Sequence, residues 1–144
     1  MKRCICIVTC LVLILSLMVG CTQKEDVQLG SLNAPKQILE ELIVGDIEGS
    51  LGPFRADLWT DELRDKMTGY AELLDGREYL RCECVNYEVV GTRKEGNYEE
   101  TTYHKITMKD DTVLYAICYS LKDENWDGLV SFDLYTECPW EQSS

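Results

Sequence analysis

The order of hydrophobic patterns predicts an α+β fold, with two to three N-terminal helices packed on a four-stranded antiparallel sheet. Three observations carry this. Apolar residues first recur at helical spacing, at Ile38, Leu39, Leu42 and Ile43 and again at Leu63, Met67, Tyr70, Ala71 and Leu74. From Tyr79 onward the pattern switches to runs rich in β-branched and aromatic residues. The turns between those runs are short and polar, so successive strands pair as antiparallel hairpins. Helices first and strands afterwards place the helices on one sheet face.

The first helix is expected over Pro35–Val44. Asn33 can cap it, and proline is tolerated in a first turn. Gly45 is the expected stop. Asp46 to Leu58 is interrupted by Gly49, Gly52 and Pro53 but keeps Ile47, Leu51, Phe54 and Leu58 on an apolar side. It reads as short broken turns packed on the core. Thr60, followed by Asp61 and Glu62, is a strong helix start, because cap and acidic first turn both satisfy free amides. Asp75-Gly76 ends this helix, and Gly69 weakens it by roughly 1 kcal/mol.

Four strands are expected, over Tyr79–Val90, Tyr98–Met108, Thr112–Leu121 and Leu129–Thr136. In the third, Val113, Tyr115, Ile117, Tyr119 and Leu121 share a face. In the fourth, Val130, Phe132 and Leu134 share one, and Leu129, Ser131, Asp133 and Tyr135 share the other. On the second strand His104 goes with Ile106 and Met108, while Tyr103 points the other way.

This order of elements, with the Gly45-Asp46 turn and Asp75-Gly76, resembles the nuclear transport factor 2-like (cystatin-like) cone. More narrowly, three stretches resemble small, uncharacterised lipoproteins of Gram-positive bacteria with that domain. They are Tyr103-His104-Lys105-Ile106-Thr107, Leu114-Tyr115-Ala116-Ile117, and Asp127-Gly128-Leu129 with Phe132-Asp133-Leu134. The resemblance spans roughly Pro35 to Thr136. It implies a curved sheet and pairing of cones through their sheets, hence a homodimer. The cone serves isomerases and dehydratases and also domains that only bind, so the fold does not settle the function. The broken stretch at Asp46–Leu58 departs from the regular second helix of the cone.

The first twenty-one residues set the location. Lys2 and Arg3 precede an apolar run over Ile5–Val19, followed by Met18-Val19-Gly20-Cys21 and then by polar residues. This resembles a bacterial lipoprotein signal with its lipobox. The run is short for a membrane-spanning helix, which needs about 20 apolar residues. The resemblance implies cleavage before Cys21 and a diacylglycerol on its sulfur, which supplies the two chains that stable anchoring requires. The expected organisation is a signal peptide at 1–20, a lipidated tether at 21–34, an α+β domain at 35–138 and a tail at 139–144. The expected location is the cell membrane, on its extracytoplasmic face.

Removal of residues 1–20 takes Lys2 and Arg3 away and leaves 26 acidic residues against 12 basic ones. A chain this acidic with no basic patch excludes a nucleic-acid partner. It is also pushed off an anionic membrane surface.

Of eight cysteines, Cys4, Cys6 and Cys10 belong to the signal and Cys21 to the lipid. Cys82, Cys84, Cys118 and Cys138 remain, either as buried free thiols or in one to two disulfides of open connectivity. The paired spacing of a structural zinc site is absent.

No catalytic set is marked. The chain has no Gly-rich phosphate loop, no Gly-x-Ser-x-Gly and no His-Glu-x-x-His, and His104 is its sole histidine. Tyr115, Asp133 and Tyr135 are the candidate pocket residues, a carboxylate between tyrosines that would face a cavity between sheet and helices. Asp123-Glu124-Asn125-Trp126-Asp127-Gly128 matches the opening of a calcium loop, but the twelfth position is Leu134 instead of a bidentate acid. It reads as a hairpin turn whose side chains bond their own backbone. No cofactor and no metal is expected.

The reading that follows is a lipid-anchored, non-catalytic binding or interaction domain for a protein or small-molecule partner. The alternative is a small-molecule binder or an isomerase-like or hydrolase-like enzyme using a pocket between sheet and helices.

Overall fold

The computed structural model describes residues 30–124 and 126–141. The signal peptide, Cys21 and most of the tether therefore lie outside the described residues, as do Asn125 and the last three residues of the tail. Three helices, α1 (Gly30–Ile43), α2 (Ile47–Ser50) and α3 (Asp61–Leu74), pack against an open antiparallel sheet. Its strands are β1 (Tyr79–Thr92), β2 (Asn97–Met108), β3 (Val113–Asp123) and β4 (Trp126–Tyr135), each paired with the next in chain order. Among the described residues no helix is long and apolar enough to cross a membrane.

Helix α1 starts earlier than expected, at Gly30, so Pro35 lies inside it and Asn33 is not its cap. Proline costs the helix one donor, but Ala34, Ile38, Leu39 and Leu42 are buried on the sheet, and packing outweighs that loss. The end is as expected. Gly45 takes a positive φ of 78°, its N–H donates to Leu42 O, and Asp46 N–H donates to Glu41 O. These two bonds form a Schellman cap. Asp46 then caps α2 by accepting from Gly49 N–H at 2.8 Å. The following stretch is a set of short turns, as expected, with Leu51 and Phe54 buried. Thr60 caps α3 through Leu63 N–H.

The buried sheet face carries Ile106 and Met108 from β2, Leu114, Ala116 and Cys118 from β3, and Leu129, Phe132 and Leu134 from β4. One sequence expectation holds here and one gives way. The face of β3 bearing Val113, Tyr115, Ile117, Tyr119 and Leu121 is the outer one. Both faces of β3 are apolar, and the register decides: Leu114, Ala116 and Cys118 stand opposite Ile106, His104 and Thr102. The small Ala116 and Cys118 let α1 approach. In β4, Leu129 faces the core rather than sharing a face with Asp133. A register shift pairs Ser120 with Leu129 and Tyr119 with Ser131, leaving Val130 as the extra residue of a bulge.

The two sheet edges differ. The β4 edge is covered: Leu129 exchanges hydrogen bonds with Pro53 O and Arg55 N–H, and Leu134 N–H donates to Tyr70 Oη at 3.2 Å. The β1 edge is long and exposes Leu80, Val85, Tyr87 and Val90. Two register shifts, at Leu80 and Val85, break its regularity.

Candidate functional site

Along the inner face of β2 the side chains run from apolar to polar: Met108, Ile106, His104, Thr102, Glu100 and then Tyr98. The apolar end is sealed by the core. The polar end opens into a cleft of about 270 Å³ between the first turns of α1 and the far ends of β2, β3 and β4. Strand register builds it in two rows. Glu100, Ser120 and Leu129 stand side by side as the floor, and Tyr98, Lys122 and Asp127 form the rim. Asn33, Ala34 and Gln37 of α1 supply one wall and Pro53 the other. The Pro53 wall is fixed to β4 by the two hydrogen bonds of Leu129.

Glu100 is 1% exposed. Burying a carboxylate is costly unless its surroundings hydrogen-bond it or oppose its charge. At the rim Lys122 Nζ donates to Asp127 Oδ2 at 3.1 Å, and this bond raises the Lys122 pKa. Its cation is thus matched by a rim carboxylate. Apolar walls with a few converging polar groups are the usual make-up of a small-molecule site.

Next to the cleft lies a buried thiol–imidazole cluster. His104 Nε2 is 2.8 Å from Thr102 Oγ1, and its Nδ1 is 3.9 Å from Cys82 Sγ. Burial pushes His104 down to about 4 and Cys82 up to about 11. Burial also raises Cys118, which bonds Thr102. Neutral imidazole beside neutral thiol lacks the thiolate of an activated nucleophile.

All four cysteines of the domain are free thiols. Cys82 and Cys118 lie on β1 and β3 with β2 between them, roughly 9–10 Å apart at ordinary strand spacing. Cys82 and Cys84 sit two apart on one strand, roughly 6–7 Å apart with parallel Cβ directions. Neither arrangement suits a disulfide.

The structure does bring Tyr115, Asp133 and Tyr135 together. Tyr115 pairs with Tyr135, and Ile117 with Asp133. They occupy the outer sheet face, however, and do not line the cleft between sheet and α1. Tyr115 meets the edge of Trp140 at 5.4 Å, and Trp140 also meets Tyr103 at 5.5 Å. Asp133 accepts from Lys66 Nζ at 2.6 Å. Burial lowers the Lys66 pKa, but the bonds to Asp133 and Tyr70 outweigh it, and the net shift is upward.

Of the Asp123–Gly128 stretch, whose Asn125 lies outside the described residues, Asp123 stands opposite Trp126 across the β3–β4 hairpin and Asp127 bonds Lys122. Among the described residues no group of three or more His, Cys, Asp or Glu side chains is placed to hold a metal. Glu100 escaped the sequence reading, although a signal existed. The alternation that joins His104 to Ile106 and Met108 reaches Glu100 two steps back along the same strand. Comparison with family models, with curated proteins and with solved structures gave no match for this chain.

Proposed function

We propose that this chain is a lipid-anchored, non-catalytic binding domain, held on the extracytoplasmic face of the cell membrane through Cys21. Its ligand site is the cleft between α1 and the ends of β2–β4. The observation that carries this reading is the convergence there of a buried carboxylate, Glu100, with amides and hydroxyls on α1, β2 and β3. The nuclear transport factor 2-like cone is the finer reading of the fold. A long helix on one face of a four-stranded meander, with an opening at one end of the sheet, supports it.

A binding role is favoured over catalysis by the state of the nearby reactive groups. His104 is neutral and buried, Cys82 and Cys118 are protonated, and these groups stand on no lining surface of the cleft. The anchor and the cleft lie at the same end of the chain. Helix α1 begins nine residues after Cys21, and its first turns form a cleft wall.

The anchoring half of the proposal is tested by Cys21→Ser. Fractionation of cells expressing this variant is expected to move the protein from the membrane to the soluble fraction. Retention in the membrane would remove the lipoprotein reading.

A further inference from the structure

We infer that Cys82 and Cys84 form a two-thiolate site for a soft monovalent metal ion of the copper(I) class. The site is separate from the cleft, whose lining includes neither cysteine.

Placement makes the two thiols neighbours. Cys82 and Cys84 stand opposite Ile106 and His104 in the β1–β2 register, so both lie on the inner side of the sheet. β1 is an edge strand, and Cys84 is exposed while Cys82 is half-buried. An ion reaches Cys84 directly from solvent, with Cys82 beside it.

Their spacing selects the kind of bridge. A disulfide needs sulfurs about 2.05 Å apart, which side chains roughly 6–7 Å apart on one strand do not reach. A metal–thiolate bond is roughly 2.3 Å long, so two sulfurs on opposite sides of one ion are about 4.6 Å apart. Two parallel side chains close that span by leaning together. Linear two-coordination is the habit of copper(I) and silver(I), and thiolates select soft ions of this kind. Structural zinc asks for four ligands, and among the described residues no group of three or more is placed to hold a metal.

The surroundings favour a cation between the sulfurs. Burial raises the Cys82 pKa, and the charge of Cys84 raises it further, because paired thiolates repel each other. A cation between them turns that repulsion into two attractions. His104 stands on the same side, with Nδ1 3.9 Å from Cys82 Sγ. With its proton on Nε2, where Thr102 Oγ1 lies at 2.8 Å, it turns a lone pair toward the sulfur. Burial keeps this ring neutral at pH 7, so it adds no positive charge beside the ion. The net charge of −12 concentrates cations around the chain. Binding exchanges two S–H bonds for two metal–sulfur bonds and releases two protons to water. The ion stays monovalent, so no electron is transferred.

The test uses the full-length chain in detergent, with Cys4, Cys6, Cys10 and Cys21 replaced by serine so that only the four domain thiols remain. Copper(I) is supplied without oxygen from a chromogenic chelator that competes for it, and silver(I) and zinc(II) are added separately. One copper(I) or silver(I) per chain is expected, with zinc(II) bound far more weakly. X-ray absorption at the copper edge is expected to show two sulfur neighbours. Cys82→Ser and Cys84→Ser are each expected to weaken binding by about 100-fold or more, and Cys118→Ala and Cys138→Ser to leave it unchanged. Melting curves of the metal-free variants show which of them keep the fold. The absorption spectrum of the chain with both thiols reads the ligands directly, so it decides the case even where a variant unfolds.

Failure to take copper(I) from the chelator would overturn the inference. So would a spectrum with fewer than two sulfurs, one ion shared by two chains, or zinc(II) bound as tightly as copper(I). Undiminished binding by a folded Cys82→Ser or Cys84→Ser chain would overturn it as well.

Discussion

His104 shows how a single buried side chain links structure to solution behaviour. Burial lowers its pKa from the ordinary 6.5 to about 4 in the folded chain. Between those two values the unfolded chain binds a proton that the folded chain does not. The stability that this group supports is therefore complete above about pH 6.5 and is lost as pH falls toward 4. The whole loss is on the order of 3 kcal/mol. Melting temperatures measured from pH 7.5 to 4.5 are expected to fall steadily in the parent chain and much less in His104→Gln. Parallel curves would show that other groups set the acid limit. The same residue marks what was readable at this scale. Its face was legible from alternation alone, since Ile106 and Met108 announce the core side of β2. Glu100 lies on that face too and the same alternation reaches it, but a glutamate ordinarily belongs in solvent, so its chemistry argued against the pattern. Only the register, which sets it beside Ser120 and Leu129 beneath α1, makes it a floor residue.

At the scale of elements, the turns are the most demanding positions. Gly91 closes β1 with a φ of 98°, and a Cβ there would stand 2.7 Å from Asn97 O, a backbone atom that cannot step aside. Gly91→Ala is expected to cost roughly 1–3 kcal/mol, read as a lower denaturation midpoint at unchanged slope. A fully retained midpoint would mean the hairpin adopts another turn at no cost. The helix caps at Gly45 and Thr60 and the four strands were legible because each has a local cause: a glycine after a periodic run, a hydroxyl before an acidic turn, β-formers between polar turns. The bulges at Leu80, Val85 and Val130 were not. A bulge is a property of two strands together, and neither sequence alone contains it. That is why Leu129 was assigned to the wrong face; Tyr115, Asp133 and Tyr135 lie in regular register and were read as inward-facing because both faces of β3 are apolar. Bulges also explain how β1 is kept from pairing freely. Its exposed edge would otherwise be a template for another strand, and irregular register with Arg81, Glu83 and Glu88 along it works against that.

Considered as a whole, the molecule is a sheet with one face committed to the core and the other largely open. The open face is not left bare. The chain turns back after β4, and Trp140 packs edge-on against Tyr103 and Tyr115 from neighbouring strands. Trp140→Ala is expected to destabilise the fold by roughly 1–3 kcal/mol, because it removes two aromatic contacts together with buried area. Chemical denaturation followed by circular dichroism is the check, and an unchanged midpoint would make this contact incidental. The division into helices and sheet was readable from the sequence, whereas the use of each face was not. Both faces of β3 are apolar, so the decision belongs to the assembled sheet rather than to the strand.

The placement of α1 has a consequence for how the chain acquires its shape. The four strands form a meander in which each pairs with its chain neighbour, so the sheet grows by local hairpin steps. Helix α1 is different. Ile38, Leu39 and Leu42 rest on a surface made by β2, β3 and β4, whose last residues come about ninety positions later. Of the described elements the first made is thus the last to be fully buried. Until β4 is present those side chains have only the part of their native surface that α2, α3 and the earlier strands supply, and a nascent chain carries a partly exposed apolar stripe until late in its synthesis. Closing the helix onto the finished sheet is then the step that completes the core, and the same step forms the cleft.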